Sequence, residues 1–168
     1  HGAVLDSGDP GSVAAVRQGR ASVQDEGSQL VALALAAAEV GPDVPDRWLD
    51  LCAGPGGKAG VLGAMAGQHG ADLAAVEVTP HRADLVRATL AALTRHAESV
   101  GQRVEVRTAD GRDVGTDEPG AYGKVLVDAP CTGLGALRRR PEARWRRQPS
   151  DVAELASLPN VRILPRTV

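Results

Sequence analysis

The stretch Arg47-Trp48-Leu49-Asp50-Leu51-Cys52-Ala53-Gly54-Pro55-Gly56-Gly57-Lys58 constrains this chain more than any other. A short apolar run with β-compatible residues ends in three glycines, and an Ala/Leu-rich stretch with helical spacing follows to about residue 66. That is a strand, a tight turn and a helix, and the pattern repeats. Residues 71–76 read as a strand and 80–93 as a helix, with further strands at 104–107 and 124–127. Strands alternating with helices predict an α/β fold: a mostly parallel sheet, helices on both faces, right-handed connections and ligands at the carboxyl ends of the strands. Upstream, residues 1–21 mix Gly, Pro, Asp and Ser without a clear period and read as an irregular lead-in. A helix starting after Ser22, with Asp25 and Glu26 in its first turn, is expected to run to Gly41-Pro42. Residues 22–168 therefore read as one domain.

With 168 residues and 43% apolar side chains, the chain can fill one core. There is no Phe, and Trp48, Trp145 and Tyr122 are the only aromatic residues, so Ala, Val and Leu must do the packing. A net charge of -2 gives no overall attraction to nucleic acid, and any such surface must be local. Two cysteines, Cys52 and Cys131, form no disulfide framework, and no apolar run is long enough to cross a bilayer, which points to a reduced, cytoplasmic setting. The first residue is His rather than Met, as expected of a fragment.

Candidate site residues follow the strands. Gly54, Gly56 and Gly57 would let a ligand approach main-chain N–H groups at a helix start, although an ordinary tight turn explains them as well. The same turn fits G-x-G-x-x-A, from Gly54 to Ala59, with acidic Glu77 about 20 residues later, so a dinucleotide site remains open. A phosphate-binding P-loop does not, because Ala59 follows Lys58 and position 51 is Leu. Asp110, before Gly111, could accept from an adenine amino group or simply form a turn. Asp128 closes an apolar strand and so emerges beside the same ligand.

Three segments stand out, Val23-Gln24-Asp25-Glu26-Gly27-Ser28-Gln29-Leu30, Leu49 through Lys58, and Val127-Asp128-Ala129-Pro130-Cys131-Thr132-Gly133-Leu134-Gly135, the last two being highly distinctive together. With Asp110-Gly111-Arg112-Asp113 and the arginine-rich run at 138–145, they resemble, in order, the Sun family of ribosomal RNA cytosine-5 methyltransferases over roughly residues 22–156. The resemblance implies a Rossmann-like S-adenosylmethionine-dependent methyltransferase fold and ribosomal RNA as partner, with no metal. It further implies that Cys52, Ala53, Gly54, Pro55, Gly56, Gly57 and Lys58 wrap the methionine end of the cofactor. Glu77 would hold the ribose, with Arg82 also at the cofactor; Asp110 would meet the adenine, and Asp128 would lie near the sulfonium and the target base. Arg138, Arg139, Arg140, Arg144 and Trp145 suit phosphate contacts and base stacking, or else a solvated loop.

Cytosine C5 becomes nucleophilic only after a thiolate adds at C6. In proteins resembling this one that thiolate comes from a later Thr-Cys motif, and Cys131 matches the cysteine that helps release product. No cysteine follows Cys131. The expectation is therefore cofactor binding without turnover, with the C-terminal strands of the sheet missing and residues 161–164 partly covering its edge. A nicotinamide-dependent oxidoreductase and a non-catalytic RNA-binding module are the competing readings.

Overall fold

The computed structural model describes residue 4, residues 6–130 and positions 141, 142, 145, 148 and 150. Its strands are β1 (Arg47–Asp50), β2 (Asp72–Glu77), β3 (Val104–Thr108) and β4 (Lys124–Leu126). They form one parallel sheet in the order β3-β2-β1-β4. The chain steps outward from β1 through β2 to β3 and then returns to place β4 on the other side of β1. This reversal leaves a crevice at the carboxyl end of β1, where ligands bind in sheets of this kind.

Among the described residues, helices α1 (Ala14–Arg17), α2 (Glu26–Ala37), α3 (Gly57–Gln68), α4 (Pro80–Ser99) and α5 (Gly111–Asp117) accompany the sheet. Strand side chains alternate between faces. Trp48, Leu73, Ala75 and Leu126 point to one side and pack with Ala32 and Ala36 of α2, Ala59, Leu62 and Ala66 of α3, and Val86 and Leu90 of α4. Leu49, Ala74 and Val76 point to the other, where Val114 of α5 joins them, with Tyr122 and Val127 partly buried alongside. Helices thus lie on both faces, and the core is aliphatic apart from Trp48, as the composition requires.

Small residues make this packing close. A Cβ at Gly63 of α3 would stand 2.5 Å from Leu93 Cδ2 and 3.0 Å from Leu73 Cδ2. Glycine costs helix stability, and here its missing side chain lets α3 approach α4 and the sheet together.

Several boundaries differ from the sequence reading. The lead-in contains a 3-10 turn at Pro10–Ser12, capped by the Asp9 carboxylate accepting from the Gly11 N–H, followed by the single turn α1. Helix α2 ends at Ala37, several residues before Gly41-Pro42. Its Ala36 carbonyl accepts from Lys124 Nζ at 2.5 Å, and that buried ammonium also sits 4.5 Å above the Trp48 ring. Helix α4 continues past residue 93 to Ser99, anchored in its last turns by buried Ala97. Helix α5, absent from the sequence reading, has Val114 as its one buried residue. The strand expected at residues 161–164 lies outside the described residues.

Candidate functional site

The turn after β1 is tied to both neighbouring strands. The Leu51 N–H donates to the Leu126 carbonyl and the Ala53 N–H to the Val76 carbonyl, each at 2.9 Å. The Gly54–Pro55 peptide is cis. Gly56 has φ of +111°, a conformation that favours glycine, and a Cβ there would meet Thr89 Cβ at 2.9 Å.

Buried Glu77, at the end of β2, holds the turn from the side. Its Oε2 accepts from the Gly54 N–H at 3.1 Å, and its Oε1 accepts from the Thr79 N–H at 3.0 Å. Helix α4 closes the clasp: Arg82 Nη2 donates to the Gly54 carbonyl at 2.6 Å, its Nε stands 3.7 Å from Glu77 Oε2, and Thr89 Oγ1 donates to the Pro55 carbonyl at 3.1 Å. Arg82 and Thr89 are seven residues apart, two helical turns, and so share one side of α4.

On the β4 side, Lys58 Nζ pairs with Asp128 Oδ2 at 2.7 Å and lies 3.4 Å from Ser28 Oγ in α2. After β3, Asp110 caps α5: Oδ1 accepts from the Arg112 N–H at 3.0 Å, and the carboxylate pairs with the Arg112 guanidinium at 2.5 Å. A Cβ at Gly111 would lie 2.9 Å from Leu51 Cγ, so the start of α5 abuts the turn. The fold therefore gathers Cys52 through Lys58, Glu77, Arg82, Asp110 and Asp128 at the carboxyl edge of one sheet. Cys131, Arg138, Arg139, Arg140 and Arg144 lie outside the described residues, whereas Trp145 is exposed.

Around the turn, the acidities of Asp50, Cys52 and Asp110 are displaced. Burial pushes the Asp50 carboxyl up to about 7; the nearby Cys52 N–H, short of hydrogen-bond geometry, and the Lys58 charge pull it down, while Asp128 and Glu77 push it further up. Burial, then the Asp50 charge, raises the Cys52 thiol, which disfavours the thiolate and hence nucleophilic attack from this position. The Arg112 guanidinium beside Asp110 brings that carboxyl down to about 2. A folded-state value below the ordinary 3.8 means that Asp110 stabilises the fold above that pH and loses the effect as pH falls toward 2. Asp110→Ala is expected to cost about 1 kcal/mol at pH 7 through loss of the helix cap, with the difference shrinking in acid, as read by urea unfolding at both pH values.

Asp50, Ser28 and Thr89 escaped the sequence reading. Asp50 and Ser28 stood inside the distinctive segments without being singled out, and for Thr89 the signal was its seven-residue spacing from Arg82 with Val86 between them.

The family model for the 16S rRNA methyltransferase RsmB/F matches residues 37–164. The chain belongs to the RsmB/F family. Among relatives, it is 60% identical over 154 residues to a Mycobacterium tuberculosis protein named only as a methyltransferase, covering 92% of this chain and 31% of that one. The ribosomal RNA small subunit methyltransferase B of Sodalis glossinidius is 36% identical over 142 residues, 84% of this chain and 30% of the relative. The chain thus spans about a third of the length of these curated relatives. In fold it is similar to NSun6 from Pyrococcus horikoshii, crystallised with SFG, at a TM-score of 0.59 and 22% identity over 83% of this chain and 37% of that one. Membership of the RsmB/F family places the chain among methyltransferases rather than nicotinamide-dependent oxidoreductases.

Proposed function

We propose that this chain is the S-adenosylmethionine-binding part of an enzyme that methylates C5 of cytosine in ribosomal RNA. The observation that carries the reading is the Gly54–Glu77–Arg82 clasp: the turn after β1 is held open-backed against a buried carboxylate, at the switch point of the sheet, in a chain of the RsmB/F family. A cofactor of this class has an amino-acid end, a ribose and an adenine, and the site offers a group suited to each. The main-chain N–H groups of Gly57 and Lys58, in the first turn of the twelve-residue helix α3, suit a carboxylate. Glu77 uses one lone pair on each oxygen for Gly54 and Thr79, leaving capacity for ribose hydroxyls. Asp110 would accept from the adenine amino group, and Asp128, held by Lys58, would lie toward the sulfonium and the target base. SFG in the P. horikoshii structure is an analogue of the same cofactor.

When bound, S-adenosylmethionine supplies an electrophilic methyl group. For its acceptor, a thiolate must add to cytosine C6 so that C5 can take the methyl group, after which a base removes the C5 proton and the thiolate leaves. Burial raises the Cys52 thiol, which disfavours its thiolate, and Cys131 would take the product-release role, so neither position suits the attacking thiolate. Arg138, Arg139, Arg140, Arg144 and Trp145 would meet RNA phosphates and a base, in a cytoplasmic setting.

Calorimetric titration with S-adenosylhomocysteine, and in parallel with NAD, tests the reading. Binding of S-adenosylhomocysteine alone, weakened in Asp128→Ala, is the expected result. Binding of NAD, or of neither, would overturn it.

A further inference from the structure

Asp50 is the least comfortable group in the molecule. It is 1% exposed, and neither carboxylate oxygen has a hydrogen-bond partner among the described residues. It ends the central strand, with Ala75 and Leu126 beside it in register, and so sits at the crevice where the sheet order reverses. The groups that act on it come from several walls of the site: Lys58 from α3, Asp128 just after β4, Glu77 from the end of β2, and the Cys52 amide from the turn, with the neutral Cys52 thiol beside them. Two of the three charged side chains are acidic. The one cation, Lys58, is engaged by Asp128 and Ser28. Buried polar groups are nearly always satisfied, so an unpaired carboxylate at this position points to a partner brought by a ligand.

Resting on the cofactor reading above, we propose that Asp50 is the counter-charge for the ammonium group of the ligand's amino-acid end. The first-turn amides of α3 would take the ligand's carboxylate, and Asp50, at the base of the turn before it, would take its ammonium. Burial holds a large share of Asp50 as the neutral acid near pH 7, and an arriving cation favours the carboxylate. Binding therefore expels a proton to the buffer, and affinity rises with pH through that region.

The test compares S-adenosylhomocysteine with 5′-methylthioadenosine, which keeps the nucleoside and thioether but lacks the amino-acid end. Each is titrated calorimetrically at pH 7 in two buffers of different ionisation enthalpy. The wild-type chain is expected to release part of a proton with S-adenosylhomocysteine and none with methylthioadenosine. Asp50→Asn should abolish the release and weaken S-adenosylhomocysteine about tenfold or more, leaving methylthioadenosine unchanged. Because the Asp50 carboxyl is raised from 3.8 in the fold, its contribution to stability is full below that pH and is lost as pH rises through about 7. The ligand-free Asn variant should consequently melt higher than wild type at pH 8 and show no such gain at pH 4. Equal weakening of both ligands, or proton release persisting in the variant, overturns the proposal. Should the variant not fold, equal proton release by the two ligands on the wild type overturns it by itself. If the wild type binds neither ligand, the cofactor reading itself fails and this proposal falls with it.

Discussion

Gly54→Ala is expected to lower the affinity for S-adenosylhomocysteine by about 100-fold, the scale on which an ångström of misplacement acts in a preorganised site. A Cβ at this position would lie 2.3 Å from Glu77 Oε2, 2.8 Å from Arg82 Nε and 3.0 Å from Arg82 Nη2. The arginine is half-exposed and can swing away. Glu77 cannot move as freely, because it is 4% exposed and accepts from the Thr79 N–H as well as from Gly54 itself. The added methyl group therefore drives the carboxylate off the turn and breaks the bond that positions it. Unfolding stability should fall by about 1–3 kcal/mol, the usual cost of overpacking. Gly41→Ala is the control, since a Cβ there has open space within 4 Å, and it should leave affinity unchanged. An affinity within threefold of wild type for Gly54→Ala, measured by titration calorimetry, would show that Glu77 does not contact the ligand.

Leu62→Ala is expected to produce the largest loss of stability. Leu62 has no exposed surface and stands in α3 at the centre of the cluster that joins three helices to the sheet. Truncation removes its transfer free energy and leaves a cavity that helices on both sides cannot close, at a cost of about 2–5 kcal/mol. For a chain of this size the melting midpoint should drop on the order of 10 °C. Val31→Ala, at a position 46% exposed in α2, should change stability by no more than about 0.5 kcal/mol. Similar denaturation midpoints for the two variants would mean that α3 is not packed as described.

What could be read in the sequence depended on how local each signal was. The β1–turn–α3 unit was legible because a buried strand, three glycines and a helix lie within about twenty consecutive residues, and each glycine has a local physical reason. The acidic residues at the ends of β2 and β4 were legible for the same cause, each closing an apolar run at the carboxyl edge of the sheet, whereas Asp110, after the half-polar β3, read equally as a turn residue. Helix α5 was not legible, because seven residues with two glycines and one buried valine carry almost no periodicity. Nor was the true extent of α4, whose last turns rely on Ala97 alone. Asp50 shows the limit most clearly. Its burial comes from β2 on one side and β4 on the other, contributed by residues 75 and 126, and nothing near position 50 in the sequence announces either.

The contact between Lys124 and the end of α2 carries a consequence for synthesis. The ammonium that finishes this helix and lies over Trp48 is supplied 88 positions after the carbonyl it meets, and β4, which flanks β1, begins at that same lysine. A nascent chain extended at about 5–20 residues per second keeps the far side of β1 uncovered for on the order of ten seconds after α2 is made. During that interval one edge of the central strand and the indole beside it are open to other chains, so vectorial growth from the N-terminus leaves the middle of this sheet until last.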